Sequence, residues 1–161
     1  MAYITNTYID ALISTRIRTA LFSDGQPPVY SDANCEQARI TAHAIVRTAL
    51  SQAGYTPPTV AELAAMVADA ANEQRVVDGE NIRLATFGQW LNLGGFVRKQ
   101  WPIPTELRAT LNLVRDIKLG SLTFPTLSLS VPGAVGGNTF SDNDADAGDT
   151  LAPMFSKTMG R

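Results

Sequence analysis

Between Ser31 and Pro58 the chain reads SDANCEQARITAHAIVRTALSQAGYTPP. Its apolar residues Cys35, Ala38, Ala42, Ile45, Val46, Ala49, Leu50 and Ala53 recur at the spacing of one helical face. Glu36, Arg39, Arg47 and Ser51 fall off that face. Ser31 and Asp32 stand where side-chain oxygens can accept from the free N–H groups of a first turn, and Glu36 adds negative charge near the positive end of the helix dipole. Gly54 suits the left-handed residue that closes a helix, and Pro57 and Pro58 oppose continuation. The pattern predicts one long amphipathic helix whose Ala-rich face lets another backbone come close.

The same reading places a first helix over 5–21, where Tyr8, Ile9, Leu12, Ile13, Ile17, Ala20 and Leu21 share a face and Thr5 or Asn6 is available as the cap. The connection FSDGQPPVYS carries Asp24-Gly25 and Pro27-Pro28, which stop that helix and predict a surface loop. Its Phe22, Val29 and Tyr30 either serve a contact or pack back on the core. Thr59 and Glu62 have the spacing of a capping box, so a third helix starts there and its apolar pattern fades at Val76 and Val77, before a turn at Asp78-Gly79. Residues 84–93 read as a short helix ended by Gly94-Gly95, with a strand as the alternative because Gly88 weakens the helix. Pro104 opens a fourth helix that runs to Gly120.

After Gly120 the composition changes. SLTFPTLSLSVPGAVGG alternates Leu127 and Leu129 with serines and predicts extended chain, an edge strand or a hairpin. NTFSDNDADAGDT reads as an acidic linker, and Leu151, Met154, Phe155 and Met159 follow it as an apolar tip. A polar tether with an apolar tip suits interaction; the alternative is a frayed tail. The expected fold is therefore mainly α: a small bundle of four to five helices over 1–120, with an extended, partly β or irregular C-terminal arm over 121–161.

A chain of 161 residues accommodates one core. The formal net charge of -2 argues against a protein whose main task is neutralising phosphates. Residues 1–118 are balanced, and the deficit lies in Asp142, Asp144, Asp146 and Asp149. The lone Cys35 excludes an intrachain disulfide and points to a reducing compartment. No basic-then-apolar leader is legible at the N-terminus, so neither export by a signal peptide nor a membrane span is expected.

The chemistry-bearing residues do not assemble into a site. Asp142, Asp144 and Asp146 match the first ligands of a calcium loop, but Ala147 stands where the sharp turn needs glycine and Pro153 where a bidentate glutamate is needed. Cys35 and His43 are eight residues apart on one helix, about 12 Å of rise, too far for one to activate the other. Gly133-Ala134-Val135-Gly136-Gly137 lacks the lysine and helix start of a phosphate loop. Trp90, Phe96 and Trp101 beside Arg98 and Lys99 read either as core anchors flanked by surface charge or as a stacking platform for bases. No catalytic residue, cofactor or metal is expected.

The opening MAYIT with its short helix, the long helix closing in AGYTPP, the stretch WPIPTELRATLNLVRDIKLG and the ending MFSKTMGR together resemble the head–tail adaptor proteins of tailed bacteriophages, Mu-like or connector-type head-completion families. The resemblance covers about half the chain and leaves out 59–101. It implies a structural virion protein at the head–tail junction, assembled in the host cytoplasm and without enzyme activity. Such a protein forms a homo-oligomeric ring, often of about twelve copies, under the portal protein. The ring encloses DNA without sequence-specific binding and offers a surface to a tail or stopper protein. The residues expected to make contacts are Phe22, Val29 and Tyr30 in the loop, and Leu151, Met154, Phe155, Lys157, Met159 and Arg161 in the tip. The alternative is a small helical DNA-binding or regulatory protein using Arg98, Lys99, Arg108 and Arg115.

Overall fold

A computed structural model describes residues 1–24, 27–100 and 104–130. They form a mainly helical fold with a small two-stranded sheet that does not close into a barrel.

The single helix expected over 5–21 is two. In α1 (Asn6–Leu12) the Tyr8 N–H donates to Thr5 Oγ1 at 3.2 Å, and in α2 (Thr15–Leu21) the Ile17 N–H donates to Ser14 Oγ at 3.4 Å. Between them Ile13 is extended and buried. The apolar periodicity continues through the break, but the Ser14 hydroxyl satisfies a fresh helix start, and a cap outranks continuity. The following loop folds as a hairpin, β1 (Ser23–Asp24) against β2 (Val29–Tyr30), antiparallel with Ser23 opposite Tyr30.

The long helix is α3 (Asp32–Gln52). Its start and stop are those expected: the Asn34 N–H donates to Ser31 Oγ at 3.2 Å, and Gly54 takes a φ of 86° just after the helix ends. Cys35, Ala38, Ala42, Val46, Ala49 and Leu50 are its buried face. Next, α4 (Val60–Val67) begins with the complete capping box, the Thr59 N–H on Glu62 Oε2 and the Glu62 N–H on Thr59 Oγ1.

The largest departure from expectation is α5 (Glu73–Leu93), a 21-residue helix running through both the predicted turn at Asp78-Gly79 and the ambiguous segment over 84–93. Asn72 caps it by accepting from the Arg75 N–H at 3.2 Å. The glycines are notches for close approach. A Cβ on Gly88 would lie 1.9 Å from the Thr110 carbonyl oxygen, and one on Gly79 would lie 2.8 Å from Val67 Cγ2. Gly88 thus receives the backbone of the next element, which explains a second correction: the fourth helix is α6 (Thr105–Arg108), a 3-10 turn over Ala109–Asn112, and α7 (Leu113–Lys118). In that turn Thr110 is buried and its hydroxyl donates to the Leu107 carbonyl at 2.6 Å.

Two apolar clusters fill the interior. In one, Phe87, Trp90, Leu91 and Phe96 meet Cys35, Ala38 and Ala42 of α3, with Ile9, Leu21 and Phe22 over them. In the other, Ile82 and Ala85 meet Val46, Ala49 and Leu50, together with Leu63, Met66, Ile117 and Phe124. The C-terminal part of α5 therefore packs on the N-terminal part of α3, and the two helices run antiparallel. The segment 121–130 crosses the outside as a strap; the expected strand or hairpin reduces there to one antiparallel bridge, Tyr55 with Leu129. The glycine-rich stretch 133–137, the acidic run 142–149 and the apolar tip 151–161 lie outside the described residues, as does Trp101.

Candidate interaction surface

The two ends of α3 carry the features that can meet a partner, and a 21-residue helix sets them about 30 Å apart. At its N-terminal end stands the hairpin. The three loop residues singled out from the sequence have different fates there. Phe22 is buried, its ring 4.8 Å from the Trp90 ring centroid to centroid. Val29 points outward and is 64% exposed. Tyr30 is half-buried: it packs on the core beneath the hairpin, donates its hydroxyl to Asp32 Oδ1 at 3.0 Å and lies under the Arg18 guanidinium. Burial, with Cys35 and Asp32 beside it, pushes the Tyr30 hydroxyl above its ordinary pKa, so it stays a neutral donor at physiological pH. Pro28 and Tyr30 form one wall of an apolar groove of about 480 Å³, and Thr15, Arg16, Thr19 and Ala20 of α2 form the other.

A second hollow, about 390 Å³, opens on the other side of the hairpin, where Leu93 and the exposed Arg98 and Lys99 surround Gly94. Trp90 and Phe96 are fully buried core anchors. Lys99 Nζ donates to the Ala20 and Leu21 carbonyls at 3.0 and 2.7 Å, which closes the C-terminal end of α2. The cation of that pair therefore has an intramolecular role holding α2 over the core.

At the C-terminal end of α3 the strap is tied to the body by backbone and by one carboxylate. The Thr56 N–H donates to the Ser128 carbonyl and the Ser130 N–H to the Gly54 carbonyl, both at 2.8 Å. Asp78 is fully buried and accepts three hydrogen bonds: from Gln74 Nε2 at 2.8 Å, from the Thr126 N–H at 2.9 Å and from Thr126 Oγ1 at 2.6 Å. Beside this seam lies a polar cleft of about 340 Å³ between Pro57, Met66, Arg75 and Leu127. Sequence reasoning missed Asp78 as a fixing point because Asp-Gly was read as a turn. A signal was present: at helical spacing Asp78 stands in line with Ile82 and Ala85, so a polar residue occupies an apolar stripe.

For chemistry the described residues offer little convergence. Among them no group of three or more His, Cys, Asp and Glu side chains is placed to hold a metal ion. Cys35 is buried. His43 stacks edge-on against Tyr3, centroids 4.2 Å apart; burial first, then Arg47 and the N-terminal ammonium, lower its pKa. Burial pushes the Tyr3 hydroxyl up to about 12, and it donates to the Pro58 carbonyl, pinning the N-terminal segment to the start of α4. Among the described residues no helix is long and apolar enough to cross a membrane. No family model, curated protein or solved structure matches this chain.

Proposed function

We propose that the protein is a non-enzymatic assembly subunit of the head–tail adaptor kind. It would dock as a homo-oligomeric ring under a portal protein, complete the phage head and offer a surface to a tail or stopper protein. The observation that carries this reading is the path of the chain after α7. The strap leaves the helical bundle and is fastened back on it, with Thr126 on the buried Asp78 and Ser130 on Gly54, so the last described residue before the C-terminal arm is tied to the body. An arm that starts from a strap fastened on the body reaches a neighbour at lower entropic cost than one hung on a loose tether.

A ring needs two unlike surfaces on each subunit, because its contacts are heterologous. The hairpin with exposed Val29 and the strap, at opposite ends of α3, supply two. The small net charge of -2 suits a ring that encloses DNA without gripping it. A C-terminal arm carrying Leu151, Met154, Phe155 and Met159 belongs to the same proposal.

Sedimentation of the full chain, alone and with its portal protein, tests the reading. A ring-sized species is expected in at least one condition, and deletion of residues 131–161 is expected to reduce it. A chain that stays monomeric in both conditions and is absent from virions overturns the proposal. Salt-dependent DNA binding lost on changing Arg98, Arg108 and Arg115 would replace it with the DNA-binding reading.

A further inference from the structure

We propose that residues 121–130 form a latch that opens and closes as one unit on the helical body, held shut by Asp78. A fully buried carboxylate with no cation among its hydrogen-bond partners is costly unless several donors meet it. Two of its three donors come from Thr126, in the strap, 48 residues away in sequence. The third, Gln74, lies one turn back on the same helix. The strap is therefore what makes the buried position of Asp78 tolerable, and Asp78 is what holds the strap. Intermediate states, with Thr126 displaced and the carboxylate still buried, are disfavoured, so the contacts break together.

Three features mark where the unit begins and how firmly it sits. Gly120 takes a φ of 71°, and a Cβ there would meet nothing within 4 Å, so the chain turns into the strap through a residue free of packing. Within the strap only Phe124 is buried, edge-on to Tyr55 with centroids 5.5 Å apart; its N–H donates to the Tyr55 hydroxyl. The polar ties are Thr126 on Asp78 through both N–H and Oγ1, Thr56 on Ser128, Ser130 on Gly54 through both N–H and Oγ, and, where the strap begins, the Ser121 and Leu122 N–H groups on the Asp116 carbonyl. One buried aromatic anchor, the partly buried Leu122 and Leu127 and a few hydrogen bonds hold less than the α3–α5 core, so the latch opens at a free energy below global unfolding. Closed, it holds Ser130 against Gly54 at the C-terminal end of α3. Opening is a property of the isolated chain and stands apart from the assembly role.

Hydrogen exchange on the full-length protein tests this. The amides of Thr56, Phe124, Thr126 and Ser130 should exchange together, faster than the buried amides of α3 and α5. In Asp78→Asn the four should speed up jointly by roughly tenfold to a hundredfold, with the α3 and α5 amides unchanged. Thr126→Val, which removes one donor and keeps the backbone N–H, should give a smaller joint acceleration, and Thr126→Ser should restore protection. Thr126→Val also serves if Asp78→Asn does not fold. The proposal is overturned if the four amides exchange independently, if they exchange only with the core, or if Thr126→Val leaves them unchanged.

Discussion

The two long helices, α3 and α5, have the same length and pack against each other along it, yet they are built on opposite terms. α3 buries one face of small residues, Cys35, Ala38, Ala42 and Ala49 with Val46 and Leu50, and leaves Ala44, Arg47 and Thr48 in solvent. α5 is enclosed over most of its circumference from Asp78 to Leu91, where Ile82, Ala85, Thr86, Phe87 and Trp90 are all buried. A helix covered on one side gains its stability from area and tolerates change on the other. A helix covered all round must match each neighbour in shape, which is why α5 carries glycine at the two places where α4 and the 3-10 turn press closest.

The sharpest way to break that contrast is to fill a notch. In Gly88→Ala the added methyl would lie 1.9 Å from the Thr110 carbonyl oxygen and 2.4 Å from its carbon, backbone atoms that cannot rotate aside. The helix-propensity gain of about 1 kcal/mol is outweighed, and we expect a loss of about 3 kcal/mol in urea unfolding. Ala44→Gly on the exposed side of α3 is expected to cost only about 1 kcal/mol. Equal costs would mean that α5 is no more tightly matched than α3.

At the second notch the neighbour is a side chain, so the expected effect is smaller. Gly79→Ala would bring a methyl 2.8 Å from Val67 Cγ2 and 3.2 Å from Met66 Cβ, for a net loss of about 1 kcal/mol after the propensity gain. Combining it with Val67→Ala removes the nearest clash. A double-mutant cycle should then show a favourable coupling of about 1 kcal/mol; additivity would show that α4 simply shifts away.

This contrast also explains what could be read in advance. A helix with one apolar face writes its periodicity into the chain, and α3 was legible from Ser31 to Gly54 because cap, stripe and stop agree there. The capping box of α4 was legible for the same local reason. α5 was not, since a residue buried all round need not keep an amphipathic period, and its glycines answer neighbours far away in sequence. Gly88 is understood only from Thr110, and Asp78 only from Thr126. The break at Ser14 and the 3-10 turn at Ala109–Asn112 were hidden because apolar spacing persists across both. Val29 and Tyr30 were legible as loop residues, and the hairpin leaves Val29 exposed while Tyr30 packs partly on the core. The strap's fastening depended on pairings of 48 to 76 residues that no local pattern announces.

Where the two helices should behave alike is at their starts. Ser31 and Asn72 each accept from the backbone N–H three residues on, at 3.2 Å in both cases. Ser31→Ala and Asn72→Ala are therefore each expected to cost about 1 kcal/mol, and the corresponding glycine variants only a few tenths. A much larger cost at Asn72 would mean that the α5 cap also positions the turn after α4, a role Ser31 has no counterpart for.

The smallest effect concerns the one titrating group on α3 that packs against the N-terminal segment. His43 has its pKa lowered, chiefly by burial and then by Arg47 and the N-terminal ammonium. The unfolded chain therefore binds more protons at this site than the folded one near pH 6, and stability rises with pH across that region. The contribution is complete above the unfolded value of 6.5 and is lost as pH falls through the lower folded value. His43→Gln should flatten this part of the profile: the stability difference between wild type and variant should shift against the wild type between pH 7 and pH 5. The ring is only partly enclosed, so solvent screening keeps the change small. A pH-independent difference would mean that the imidazolium swings out to water on protonation and leaves the Tyr3 ring, which a change in Tyr3 fluorescence or ring NMR shifts over the same pH range would report.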